Sequence, residues 1–210
     1  MKLKFDLVLF DFDGTLIDTI PASYEAVRTI FRRLSLTPPS LIEYCEHYMP
    51  PYLEFYQKRG VNISDEQIWR WYKEIANHHT ADLFPEVPSV IDHRTGPLVN
   101  LRIGIVSSQK KSVIVDQLKR GGIHKHFSWV KGEAHDKNEA IHEIVTEAHG
   151  RLATTLFVGD FGHDIIHAKK AGVTSVGITR GLPTREMFDR LGATYCIENL
   201  NQLIPIVLDG

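Results

Sequence analysis

The sequence has only two cysteines, Cys45 and Cys196, far apart and in no metal-ligand spacing, which argues against a disulfide framework or a zinc site. It lacks any apolar run near the roughly 18 residues that a membrane-spanning helix requires. It also lacks an excess of charge: 24 Lys and Arg stand against 26 Asp and Glu, a net charge of −2. The basic footprint of a nucleic-acid binder is missing, so no polymeric nucleic acid is expected as a partner. Low hydrophobicity is absent too, since 43% of residues are hydrophobic and 24% charged, which excludes a disordered chain. Near the start, Asp6, Asp11 and Asp13 interrupt any signal-peptide segment. The expectation is a soluble cytoplasmic protein without a membrane partner, built as one domain or one domain carrying a sizeable insertion.

What is present is an alternation of short apolar runs and longer helical patterns. Phe5 to Phe10, Leu101 to Val106, Thr155 to Val158, Thr174 to Ile178 and Ala193 to Ile197 read as buried strands, with Ser128-Trp129-Val130 a weaker one. Runs of this length bounded by turn residues suit a parallel sheet covered on both faces. Helical spacing appears at Ala140, Ile141, Ile144 and Val145, with Gly150 as a stop, and at Ile165, Ile166 and Ala168, ending near Gly172. Asn199 is placed to cap a last helix through Leu203 and Ile206. This alternation predicts an α/β fold with a doubly wound parallel sheet.

Residues 18–88 break the rhythm. Val27, Ile30, Phe31 and Leu34 mark an amphipathic helix; Pro38-Pro39-Ser40 starts another, which Pro50-Pro51 interrupts. Ser64-Asp65-Glu66-Gln67 has the form of a capping box, opening a helix through Trp69, Tyr72 and Ile75. The reading is a small helical domain over 18–88, inserted into a core made of 1–17 and 89–210.

Three predicted strands run into polar groups: Asp11-Phe12-Asp13-Gly14-Thr15-Leu16, Ser107-Ser108, and Gly159-Asp160-Phe161-Gly162-His163-Asp164. In open α/β sheets the ligand crevice lies beyond the carboxyl ends of the strands, so these groups can converge. Asp11 and Asp13 follow a buried strand, an unfavourable place for two carboxylates without a compensating cation. With Asp160 they form an oxygen-rich set suited to Mg²⁺, which takes one or two carboxylates plus water and substrate phosphate. The competing reading is that each Asp caps a helix or turn. Eleven histidines also invite a metal reading. However, His78 and His79 are adjacent, His124 and His126 flank Lys125 in what reads as an exposed turn, and His163 is expected to face solvent.

The motif Asp11-Phe12-Asp13-Gly14-Thr15-Leu16 resembles the DxDGT(L/V) signature of the haloacid dehalogenase-like (HAD) superfamily, most of whose members are phosphatases. Ile105-Val106-Ser107-Ser108 resembles its second motif, Lys137 its third-motif lysine, and Gly159-Asp160 with Asp164 its fourth. The placement of the helical insertion is similar to the phosphoglycolate-phosphatase-like branch, with its helical cap. The resemblance implies Mg²⁺-dependent hydrolysis of a phosphomonoester through an aspartyl-phosphate. Asp11 would be the nucleophile and Asp13 the general acid and base. Asp11, Asp160 and the Asp13 backbone carbonyl would hold the metal, with Asp164 acting behind them. Ser107 and Lys137 would bind phosphate, with Ser108 as a further donor. Lys131 is a rival for the lysine role. The substrate implied is a small phosphorylated metabolite, handled by a monomer or homodimer. A phosphomutase and a non-catalytic phosphate-binding regulatory module are the alternatives.

The insertion holds 11 of the 20 aromatic residues. In the branch it resembles, a loop near the middle of the cap selects the leaving group, which makes His47, Tyr48, Met49, Tyr52, Lys58 and Arg59 candidate specificity residues. Packing of a small helical subdomain explains the aromatic ones equally well. Phe84-Pro85-Glu86-Val87-Pro88 resembles an FPGV stretch with Glu in place of Gly, which leaves the hinge geometry open.

Overall fold

The apolar run Leu7–Phe10 forms strand β2, and all four of its residues are buried, because side chains of a central parallel strand are covered on both faces. The computed structural model describes residues 2–49, 51–76, 81–92, 101–182 and 184–209. The other strands of the main sheet are β3 (Arg102–Val106), β4 (Trp129–Lys131), β5 (Thr155–Gly159), β6 (Thr174–Ile178) and β7 (Tyr195–Ile197). Their order is β4-β3-β2-β5-β6-β7, with every pairing parallel. A two-stranded antiparallel pair, β1 (Lys2–Leu3) with β8 (Leu208–Asp209), was not expected from the sequence.

Helices α5 (Val87–Ile91), α6 (Lys111–Arg120) and α10 (Leu203–Val207) cover one face of the sheet, and α7 (Lys137–Glu147) and α8 (Gly162–Ala171) cover the other. The alternation of β2 divides the core between them. Val8 and Phe10 pack with Ile105, Val158, Ile114 and Leu203, whereas Leu7 and Leu9 pack with Ile141, Ile144, Phe157 and Ala168. Helix α9 (Arg185–Leu191) completes the set, with Phe188 buried beside Ile165. Gly172, in the left-handed conformation, ends α8 as the sequence suggests. At α7 the outcome differs: the helix closes at Ala148, and His149 rather than Gly150 takes the positive φ.

Between β2 and β3 lie α1 (Ile20–Arg33), α2 (Leu41–His47), α3 (Tyr52–Gln57) and α4 (Asp65–Ile75). Ser40 caps α2 with a full capping box to Glu43. Ser64 accepts from the Gln67 amide but makes only half of the expected box. Val27, Ile30 and Phe31 of α1 share a core of their own with Tyr44, Tyr48, Phe55, Tyr56 and Ile68. The chain leaves and returns side by side: the Asp18 amide donates to the Asp82 carbonyl at 3.0 Å, and the Phe84 amide to the Leu16 carbonyl at 3.1 Å. His78 and His79 lie outside the described residues. No helix among the described residues is long and apolar enough to cross a membrane.

Candidate active site

The strand order reverses direction at β2, which has β3 on one side and β5 on the other. Crevices form beyond the carboxyl ends of strands at such a switch point. Register fixes what enters it. Phe10 aligns with Ile105 and with Val158, so Asp11 emerges between the ends of β3 and β5. The Asp11 amide extends the ladder by donating to the Val158 carbonyl at 2.8 Å.

Lys137, the first residue of α7, reaches into this crevice and is almost wholly buried. Its Nζ stands 2.9 Å from Asp11 Oδ1 and 2.7 Å from Asp164 Oδ1. The second Asp164 oxygen accepts from the Phe161 amide at 3.1 Å. Ligand oxygens of Asp11, Asp160 and Asp164 all lie within 4.8 Å of one another. Asp160 Oδ1 accepts from the Thr15 hydroxyl at 3.0 Å, while its Oδ2 is buried with no hydrogen-bond donor among the described residues.

One ammonium among this many buried carboxylates leaves negative charge uncompensated. Burial pushes Asp11 up to about 6, with the Lys137 charge opposing it. Burial and then the Asp11 charge push Asp13 up to about 7. Burial, with Asp11 and Asp164 beside it, holds Asp160 well above the usual carboxylate range. Asp164 lies below that range because Lys137, aided by His163, outweighs its burial. A divalent cation fits this arrangement: the donors are hard oxygens close to one another, and Asp160 Oδ2 has no hydrogen-bond donor among the described residues. The backbone is shaped to the same end. Gly14 has φ +73°, and a Cβ there would lie 2.2 Å from Asp160 Oδ2.

Ser107 is buried at the end of β3, its amide donating to the Lys131 carbonyl and its hydroxyl accepting from the Gln109 amide at 3.3 Å. Ser108 is exposed. Lys131, the rival lysine, is turned away to Glu143 and Glu147 at 3.1 and 3.0 Å. His163 corrects the expectation that it faces solvent. Its ring stacks on Phe161, its Nε2 is 3.6 Å from Asp164 Oδ1, and burial pushes it down to about 4. His126 is likewise mostly covered, 3.9 Å from Asp92.

Residues 8–178 match the family model described as haloacid dehalogenase-like hydrolase. The chain belongs to the haloacid dehalogenase-like hydrolase family. It is 27% identical to the pyrophosphatase PpaX of Oceanobacillus iheyensis over 97% of each chain. It is 25% identical to a phosphoglycolate phosphatase of Pseudomonas fluorescens over 97% of this chain and 80% of that one. Its fold matches a haloacid dehalogenase-like family hydrolase of Streptococcus pneumoniae with a TM-score of 0.77 and 20% identity, covering 98% and 99% of the two chains.

In this haloacid dehalogenase-like hydrolase the six candidate specificity residues separate into two groups. His47, Met49, Lys58 and Arg59 line a groove of about 570 Å³ together with Glu43, Pro51, Glu54 and Phe55, and no strand-end acid borders it. Lys58 is paired there with Glu54, and Arg59 lies over the Phe55 ring. Tyr48 is buried among Tyr44, Tyr52, Phe55 and Tyr56. Tyr52 is half-buried and within electrostatic reach of Lys137, Asp11, Asp164 and Asp13. Three contacts escaped the sequence reading. Gln109 Nε2 approaches Asp13 Oδ2 at 3.4 Å, the Thr15 hydroxyl donates to Asp160, and Arg180 donates to the Thr15 carbonyl. The position of Gln109 just beyond a strand end was the one available signal.

Proposed function

We propose that the protein is a phosphatase of small phosphomonoesters that works through an aspartyl-phosphate on Asp11. The observation that carries this reading is the Asp11 carboxylate, set at the switch point of the sheet with Lys137 at 2.9 Å and with Asp160 and Asp164 beside it. Four residue groups in the family's motif order support the same reading.

In the first step an Asp11 oxygen attacks phosphorus and the bond to the leaving oxygen breaks. Asp13, raised to about 7, still carries a proton near neutral pH and can pass it to that oxygen. The deprotonated Asp13 then takes a proton from water, whose oxygen attacks phosphorus. The bond to Asp11 breaks and phosphate is released. Lys137 offsets the charge of Asp11 and of the incoming phosphoryl group, since such transfers depend mainly on positioning and electrostatics. Ser107 donates to a phosphoryl oxygen, with Ser108 as a further donor. When bound, Mg²⁺ supplies charge neutralisation between the phosphoryl group and Asp11. Its ligands in this proposal are the Asp11 and Asp160 carboxylates and the Asp13 backbone carbonyl. Asp164 stands behind them, because both its oxygens already engage Lys137 and the Phe161 amide.

The helical segment 18–88 serves as a cap in this reading, with Tyr52 within electrostatic reach of the carboxylates. The names of the relatives suggest phosphoglycolate and pyrophosphate as the first substrates to try. The test is phosphate release from a panel of these, sugar phosphates and nucleotides, with Mg²⁺ or EDTA, for wild type and Asp11→Asn. Metal-dependent release that disappears in the variant is expected. Release that persists in Asp11→Asn would overturn the mechanism, and no release with bisphosphate-primed isomerisation would replace the phosphatase with a mutase.

A further inference from the structure

Arg180 follows the end of β6, has a left-handed φ of 53°, and its side chain is 5% exposed. One guanidinium nitrogen donates to Glu86 Oε1 and another to the Thr15 carbonyl, while the guanidinium carbon lies 3.7 Å from the centroid of the Phe84 ring. Glu86 Oε1 also accepts from the Leu200 amide at 3.2 Å. Burial opposes ionisation of Glu86, but the hydrogen bonds from Arg180 and Leu200 outweigh it and keep the carboxyl below its ordinary value. Glu86 is the residue that departs from the glycine of the resembled FPGV stretch. It lies where the chain returns from the helical segment to the core.

This arrangement is poorly explained as a stabilising device. Burying two charges costs about as much as their attraction returns, and apolar residues of similar size often serve stability as well. The Arg180 Nε is moreover buried without a hydrogen-bond partner among the described residues. What the pair does have is position. The carbonyl that Arg180 holds belongs to Thr15, whose hydroxyl donates to Asp160 Oδ1 at 3.0 Å. Holding that carbonyl limits the movement of the Thr15 backbone, from which the hydroxyl reaches the Asp160 carboxylate. The second Asp160 oxygen is buried with no hydrogen-bond donor among the described residues.

We propose that Arg180, anchored by Glu86, is a positioning residue for the divalent-metal site, acting through Thr15 on Asp160. The proposal rests on the metal-dependent reading of the site. It also gives the Gly-to-Glu departure a purpose: the carboxylate at 86 holds a guanidinium that a glycine there could not. Outer partners of metal ligands usually change affinity by about 10–100-fold when removed.

The test is Mg²⁺ binding to the metal-free full chain by isothermal titration calorimetry, for wild type, Arg180→Lys, Glu86→Gln and the double variant. Folding is checked by near-ultraviolet circular dichroism. Arg180→Lys keeps the charge but not the two-pronged geometry, and should weaken Mg²⁺ binding by about 10-fold or more. Glu86→Gln should weaken it less. The double variant should be no worse than Arg180→Lys, because both act along one path. Substrate KM at saturating Mg²⁺ should stay near wild type, which a general loosening of the site would not allow. If Arg180→Lys does not fold, Glu86→Gln carries the test. Wild-type Mg²⁺ affinity in a folded Arg180→Lys, or in Glu86→Gln where only that variant folds, would overturn the proposal. If wild type itself takes up no Mg²⁺, the underlying functional reading falls, and this inference with it.

Discussion

Replacing Asp13 by Asn should make the metal-free protein more stable at alkaline pH, although it removes a group proposed to be essential for turnover. Burial and the Asp11 charge push Asp13 from 3.8 up to about 7. A carboxyl raised in the folded state binds its proton more tightly there than in the unfolded chain. Stability therefore falls as pH rises from about 4 to 7, and the penalty is complete at pH 8. The gap to about 7, at roughly 1.36 kcal/mol per pH unit, corresponds to ~4 kcal/mol. Asp13 keeps some contact with solvent, which reduces the expected gain to about 2 kcal/mol. Asn retains an oxygen to accept from Gln109, so little is lost in exchange. Urea unfolding in EDTA should show the full gain at pH 8 and about half of it at pH 5.5. An Asp13→Asn protein no more stable than wild type at pH 8, or a gain independent of pH, would refute this account of the site's electrostatics. Turnover by the same variant should fall by at least ~10²-fold, the usual scale for losing a general acid and base.

Two further substitutions probe the same charge balance. Lys137→Met leaves Asp11 and Asp164 buried without their shared cation, and should cost about 3–5 kcal/mol in urea unfolding at pH 8; a cost below ~1 kcal/mol would show that the lysine is not their main counter-charge. Gly14→Ala forces a side chain into a left-handed φ and against Asp160, so it should cost roughly 1–2 kcal/mol or more and weaken Mg²⁺ binding. Wild-type melting temperature and Mg²⁺ affinity together would contradict that prediction.

The parts of the fold that the sequence made legible are those in which local pattern and tertiary burial agree. Central strands such as Leu7–Phe10 are apolar throughout because both their faces are covered, and α2, α4 and α8 each carry a cap or a stop in the sequence. The pairing of Lys2–Leu3 with Leu208–Asp209 was invisible because two residues show no periodicity. The site acids were conspicuous because carboxylates directly after a buried strand demand a reason. Their partners were not. Thr15 and Asp160 are 145 residues apart, and Arg180 and Thr15 are 165 apart, so neither contact leaves a local trace. His163 misled for a related reason. A histidine in a polar loop suggests exposure, but the turn into α8 carries it onto Phe161 and towards Asp164. The groove residues His47, Met49, Lys58 and Arg59 sit close in sequence to Tyr48 and Tyr52, yet the former line a groove while Tyr48 is buried among aromatic rings.

The central claim is that Asp11 accepts the phosphoryl group. An acyl phosphate donor tests it most directly, because its leaving group needs no proton while hydrolysis of the phosphoenzyme still needs Asp13 as a base. With Mg²⁺ and such a donor, Asp13→Asn should accumulate a phosphoenzyme. Acid quenching, digestion and mass spectrometry should then find the phosphoryl group on the peptide containing Asp11, and none when Asp11→Asn is added. A label on any other residue, or one that survives Asp11→Asn, would contradict the mechanism.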